Sequence, residues 1–289
     1  MSVDPHIDKE YDNRARVPEH PVHIARWQAD ARAYREETTA SGQSLLGLSY
    51  GPHLRQTMDL FGPAAKADQG AGGPILLFIH GGYWRGLDPS FFSHLAKGAN
   101  AHGVTVAIPG YRLCPEVGIG DIIEDVRSAA RFLYARSGRR MAVAGHSAGG
   151  HLTACLLGTD WPAFDASLPA DLTTKGYSIS GLFDLLPMMQ TVMNADFKLD
   201  APEAKGVSPA LWTLPAGVAN QLVMDAVVGG DESDEYFRQS ALIADVWVKQ
   251  GATVSWSKHP STNHFTILAP MADPDSAMTA RLVELAQQA

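Results

Sequence analysis

The stretch AGHSAGGH, Ala144 to His151, sets Ser147 between two histidines. A serine hydroxyl attacks a carbonyl only when a base removes its proton, and the base in turn needs a carboxylate to fix its tautomer. Gly145-His146-Ser147-Ala148-Gly149 fits the G-x-S-x-G pattern. That pattern places a nucleophile on a sharp turn between a strand and a helix. The apolar MAVAG before it and the stretch Ala148 to Leu157 after it supply both elements.

Neither flanking histidine is well placed to serve as base. His146 is adjacent to Ser147 in the turn, so its side chain diverges, and His151 lies about one turn along the following helix. His80, in His80-Gly81-Gly82-Tyr83-Trp84, is read as a brace for a glycine-rich loop. Backbone N–H groups from Gly81, Gly82 or Tyr83, together with Ala148, are candidate donors to an oxyanion; which of them point inward is open. His264, in the loop KHPSTNHFTIL after the last apolar run, is the expected base, with His259 second. In sheets carrying this motif the chain order is Ser, acid, His. The acid is therefore sought in GGDESDEYFRQS, where Asp231 and Glu232 are adjacent. Residue type slightly favours Asp231, Asp234 and Glu235 suit a helix N-terminus, and Asp184 is a more distant candidate.

Those residues need a frame. Continuous apolar runs at 75–79, 104–108, 141–145, 177–180, 224–230 and 252–257 alternate with helix-like stretches at 91–102, 119–136, 148–157, 236–250 and 276–288. Runs apolar on both faces, joined by helices, mean a doubly wound, mostly parallel α/β sheet with helices on both sides. Before it, Val22 to Glu37 reads as helical, and the region of Leu54, Thr57 and Leu60 as strand; Ala64 to Gly73 reads as an exposed turn. Residues 184–214 break the rhythm and are expected to form a small insertion over the sheet edge. One domain spanning 1–289 is expected, with residues 1–40 packing near the active-site edge.

Composition narrows the classes. With 31 acidic against 23 basic residues, the formal charge is −8, and no basic cluster suggests nucleic acid or an anionic membrane as partner. Two cysteines, Cys114 and Cys155, do not make a disulfide scaffold, and reduced thiols in the cytoplasm are the simplest expectation. The polar, acidic N-terminus is unlike a secretory signal, and the run at 75–79 is too short to span a bilayer. No H-E-x-x-H, cysteine ligand cluster or P-loop occurs, so no metal or cofactor is expected. Oligomeric state is left open.

HGGYW, GHSAGG, the stretch ESDEYFRQS, the N-H-F loop, YDNRARVP and YSISGLFDLLP together resemble the arylformamidase (kynurenine formamidase) branch of the α/β-hydrolases, from about Tyr11 to His264. The resemblance implies the α/β-hydrolase fold, Ser147 as nucleophile, His264 as base and the segment Gly81 to Tyr83 as oxyanion loop. It also points to Glu232 as the acid, where members of that branch carry aspartate. The implied substrate is a small aromatic amide or formamide. A small-ester carboxylesterase uses the same machinery, another aromatic or heterocyclic amide fits as well, and a non-catalytic ligand-binding fold is a reading of a different class. Trp84, Phe183, Met188, Met189 and Trp212 are candidates to line the pocket.

Overall fold

The computed structural model describes residues 3–62 and 73–289. Eight strands form one sheet: β1 (Ser44–Ser49), β2 (Thr57–Phe61), β3 (Ile75–Ile79), β4 (Thr105–Pro109), β5 (Ala142–His146), β6 (Lys175–Ile179), β7 (Val223–Gly229) and β8 (Thr253–His259). Their order is β1-β2-β4-β3-β5-β6-β7-β8. The β1–β2 and β2–β4 pairs are antiparallel and the rest are parallel.

The run ILLFI shows why the central strands are apolar throughout. Successive side chains leave a strand on opposite faces. Ile75, Leu77 and Ile79 enter one core, with Ile122 and Val126 of the helix Ile119–Ser137 and Leu152 of the helix Ala148–Leu157. Leu76 and Phe78 enter the other, with Ala96 and Ala99 of the helix Ala96–Ala101 and Leu282 and Leu285 of the helix Ala277–Gln287. Each side chain buried this way contributes roughly 1.5–3 kcal/mol of transfer free energy. A polar residue at any of these positions would face a core.

Some elements differ from their sequence expectation. The stretch 91–102 is helical only over Ala96–Ala101, preceded by the 3₁₀ turns Pro89–Phe91 and Ser93–Leu95. Serine, glycine and asparagine are weak helix formers, and tertiary contacts set the path there. Leu54 is 82% exposed and lies outside β2, which begins only at Thr57. The expected turn at 64–73 lies, but for Gly73, outside the described residues. Residues 184–214 sit between β6 and β7 as short helices, Asn194–Phe197 and Ala201–Gly206, with 3₁₀ turns. The helix His20–Ala40 is longer than expected and packs Trp27 and Tyr34 against the sheet layer. Among the described residues no helix is long and apolar enough to cross a membrane.

Candidate active site

Ser147 stands between β5 and the helix Ala148–Leu157 with φ 56° and ψ −117°. A non-glycine residue in that region is strained, and surrounding structure must hold it there. Here the Ser147 N–H donates to Ile179 O of β6 at 2.8 Å, and Ser147 O accepts from the His151 N–H at 3.0 Å. The two motif glycines make the turn sterically feasible. A Cβ on Gly145 would lie 2.1 Å from Gly149 O, and one on Gly149 would lie 1.9 Å from Ile79 O. The hydroxyl is thereby carried to the C-terminal end of the parallel strands, where open α/β sheets bind ligands.

The loop after β3 runs alongside. A Cβ on Gly81 would meet His146 O at 2.8 Å and Ser147 Cβ at 3.1 Å, so the chain passes directly beside Ser147. Tyr83 and Trp84 follow with φ of 50° and 54°. The backbone N–H groups of Gly82, Tyr83 and Ala148 have no acceptor among the described residues. Free donors beside a strained nucleophile suit an incoming oxyanion. His80 braces this loop: its Nδ1 lies 2.7 Å from Gly81 O, and its ring stacks on Tyr111 at 4.3 Å. Complete burial pushes its pKa down to about 4, so the ring is neutral near pH 7.

The candidate acid and base come from the loops after β7 and β8. His264 Nδ1 lies 2.6 Å from Glu232 Oε2, both side chains being buried. The other carboxylate oxygen accepts from Ser180 Oγ at 2.5 Å and from the Gly229 N–H at 2.7 Å. Three donors thus hold the Glu232 side chain in place. The pairing assigns the proton to Nδ1 and leaves the Nε2 lone pair free to accept one. Asp231, its rival, is exposed; its N–H donates to Thr262 O at 3.0 Å and ties the two loops together.

The remaining histidines find structural partners. His146 Nε2 lies 2.9 Å from His264 O, and the two rings are 4.6 Å apart. Burial, then the neighbouring His264, holds His146 well below its ordinary pKa, so it is a neutral post for the base's own loop. His151 Nε2 lies 2.7 Å from Val207 O of the insertion, and its Nδ1 accepts from Trp84 Nε1 at 3.3 Å. Burial pushes His151 down to about 4. His259 ends β8 opposite Gly229 and offers its backbone oxygen to the Gly230 N–H and the Thr262 hydroxyl, and Asp184 pairs with Arg238.

Ser147 and His264 open together onto a cavity of about 540 Å³. Its apolar wall includes Ile24, Trp27, Leu87, Met193 and Phe265, and Asn13 and Tyr83 add polar groups. The expected lining is corrected here. Trp84 and Phe183 are wholly buried in the core. Met188 and Met189 are buried too, and Trp212 lies elsewhere, 5.9 Å under the Arg127 guanidinium, with its Nε1 donating to Gly206 O. The wall comes instead partly from residues 8–27, within the segment 1–40 expected at the active-site edge, and partly from Leu87, Met193 and Phe265. Not singled out from the sequence were Asn13 and Trp27 in the cavity and Ser180 against Glu232; YDNRARVP was the available signal for Asn13. A second depression of about 410 Å³ holds Arg35, Arg55, Asp59 and Asp88 and shares no residue with the first. Arg35 is bound to Asp59 at 2.5 Å and Arg55 to Tyr111 O at 2.9 Å, so their charge is already engaged.

Residues 76–267 match a family described by its alpha/beta hydrolase fold. The chain belongs to the α/β-hydrolase family. This hydrolase is 26% identical to the kynurenine formamidase of Danio rerio over 254 residues, 86% of this chain and 84% of that one. The kynurenine formamidase of Drosophila melanogaster is 28% identical over 250 residues, covering 84% and 81%. Among solved structures, a putative thioesterase from Silicibacter sp. TM1040 aligns with a TM-score of 0.81 and 33% identity over 96% of this chain and 98% of that one. Esterase B from a Lactobacillus aligns at 0.63 with 18% identity, a likeness of fold alone.

Proposed function

We propose that this α/β-hydrolase is a serine hydrolase that cleaves a small aryl formamide or amide of the N-formylkynurenine kind through an acyl-enzyme. The observation that carries the reading is the buried His264–Glu232 pair, 2.6 Å apart, opening with Ser147 onto one aromatic-walled cavity. The kynurenine formamidase relatives support the substrate class.

In this reading Ser147 Oγ attacks the formyl carbon as His264 Nε2 takes its proton. The imidazolium is stabilised through Nδ1–H by Glu232. The carbonyl oxygen becomes an anion facing the N–H groups of Gly82, Tyr83 and Ala148; one such donor is worth roughly 3–4 kcal/mol. Collapse breaks the C–N bond, and His264 returns the proton to the departing aryl amine. Water, deprotonated by His264, then attacks the formyl ester and releases formate and free Ser147. The apolar wall of Ile24, Trp27 and Phe265 suits an aromatic leaving group.

Esters need the same steps, and the 33% identity to a putative thioesterase favours a small ester as second reading. The test is turnover of N-formylkynurenine, other aryl formamides and short p-nitrophenyl esters, alongside mass-spectrometric mapping of an organophosphate adduct. An adduct on Ser147 with higher kcat/KM for formamides supports the reading. A strong preference for esters overturns the substrate class, and absence of an adduct points to a non-catalytic binder.

A further inference from the structure

Glu232 reaches His264 through a flexible side chain, and only one of its carboxylate oxygens, Oε2, meets Nδ1. The terminal torsion of a glutamate has no sharp preference of its own. What the second oxygen touches therefore decides whether the first stays on the ring. Oε1 accepts from the Gly229 N–H at 2.7 Å and from Ser180 Oγ at 2.5 Å. The first donor is main chain of β7. The second is a side chain to which the reaction scheme above gives no part.

Ser180 directly follows β6 and is wholly buried. Its N–H donates to Val227 O at 2.7 Å, which ties its backbone to β7. Its φ is 52°, a conformation that a glycine enters freely and an L side chain at a cost. A serine kept there, where glycine would be easier, marks a side chain that is used. Among the described residues Ser180 Oγ makes no hydrogen bond other than the one to Glu232. In the scheme above Glu232 acts as a carboxylate, which only accepts, so the single Ser180 hydroxyl proton is given to it.

We infer that Ser180 is a positioning residue for the reaction: its hydroxyl, set beside Glu232 by the left-handed turn after β6, stops the carboxylate from rotating and keeps Oε2 on His264 Nδ1 through both halves of the cycle. Without that hydroxyl, Oε1 keeps only the Gly229 N–H and the carboxylate can turn. The imidazole is then free to take the tautomer with hydrogen on Nε2, which cannot accept the Ser147 proton. The role rests on the proposed Ser147, His264 and Glu232 chemistry. It does not depend on which acyl group is transferred.

The test uses the full chain with Ser180→Ala, which removes the hydroxyl and keeps a side chain in the turn, and Ser180→Gly, which also relieves the backbone. Each is made in the unsubstituted protein and in Glu232→Gln. Two readings are taken: kcat and KM on N-formylkynurenine, and the second-order rate at which diethyl p-nitrophenyl phosphate labels Ser147. Both substitutions are expected to lower kcat and the labelling rate by roughly tenfold, with KM within about twofold, the scale of one hydrogen bond to a charged group. In the Glu232→Gln background the same substitutions should change the labelling rate by less than about twofold, because a residue that acts through Glu232 has nothing left to position there. A merely structural role would cost the same in both backgrounds, and that result overturns the inference. So do unchanged rates, or a loss in Ser180→Gly that Ser180→Ala does not share, which would belong to the looser backbone. If one variant fails to fold, the other carries the comparison. If the unsubstituted protein is labelled at Ser147 but does not turn over formamides, the substrate proposal fails while the labelling ratios still decide Ser180. If it is not labelled at all, the serine chemistry and the role of Ser180 fall together.

Discussion

The floor and the roof of the cavity are built on different principles. The floor is the C-terminal edge of β3, β5, β6, β7 and β8, and its groups are held by short loops and strained turns. Ser147 stands at φ 56° and Ser180 at φ 52°, and Glu232 is bound by three donors. The roof includes residues 8–27, which run on into the sheet through the helix His20–Ala40. It is moored by separate polar contacts: Asp8 Oδ1 accepts from the Val192 N–H, Glu10 O from Ser233 Oγ, and the Tyr11 hydroxyl donates to Glu235, at 2.8, 2.7 and 2.6 Å. Rigid strand ends hold reacting groups to the tolerance that bond-making requires. A moored segment can supply shape and apolar surface without meeting that tolerance. Changes in the floor should act on kcat, and changes in the roof on KM.

The largest effect is expected from Ser147→Ala, which should cut kcat by on the order of 10⁴ or more while leaving substrate affinity by calorimetry nearly intact. Residual turnover near the wild-type level would remove Ser147 from the floor's chemistry. Next comes the acid. Glu232→Gln keeps the shape but cannot hold the imidazolium, so kcat should fall on the order of 10³, whereas Asp231→Asn should stay within about threefold. The opposite ranking in steady-state assays would reassign the acid. For the roof, Ile24→Ala should raise KM by roughly 3- to 10-fold with kcat little changed, the scale of a few lost methylenes in an apolar pocket. If kcat falls instead, the division between floor and roof breaks down.

The smallest effect is one of pH on stability. His80 and His151 are pushed down to about 4 in the folded protein, and His146 is also depressed, against about 6.5 when unfolded. Between those values the unfolded chain binds more protons than the native one. The stabilisation is therefore complete above about pH 6.5 and is lost as pH falls toward about 4. Urea melts across that window should show Cm falling with acidification, and His151→Gln should flatten part of the slope. A stability independent of pH there would mean that these rings are not held neutral.

Much of the floor was legible along the chain because its determinants are local. An apolar run, Gly145 and Gly149 around Ser147, and a following helix specify the turn by steric exclusion within a few residues. Buried parallel strands declare themselves as continuous apolar runs, since both faces meet helices. The resemblance carried by HGGYW and the N-H-F loop pointed to Gly81, Tyr83 and His264. The helix-like stretch at 91–102 was less legible, because weak formers leave its path to tertiary contacts.

What only the tertiary structure decided is what distant segments do to one another. Asp231 and Glu232 are adjacent and both acidic; residue type favoured the first and the resemblance the second, and only the path of the loop after β8 sets the His264 ring against the Glu232 carboxylate and leaves Asp231 exposed. Trp84 and Phe183 were expected in the pocket wall, but the folded chain buries both and brings Trp27, within residues 8–27, into the cavity instead. A local motif is fixed by sterics among neighbours in sequence, so the sequence can specify it. A cavity wall depends on which surfaces remain unburied after packing, and no short stretch of residues contains that information.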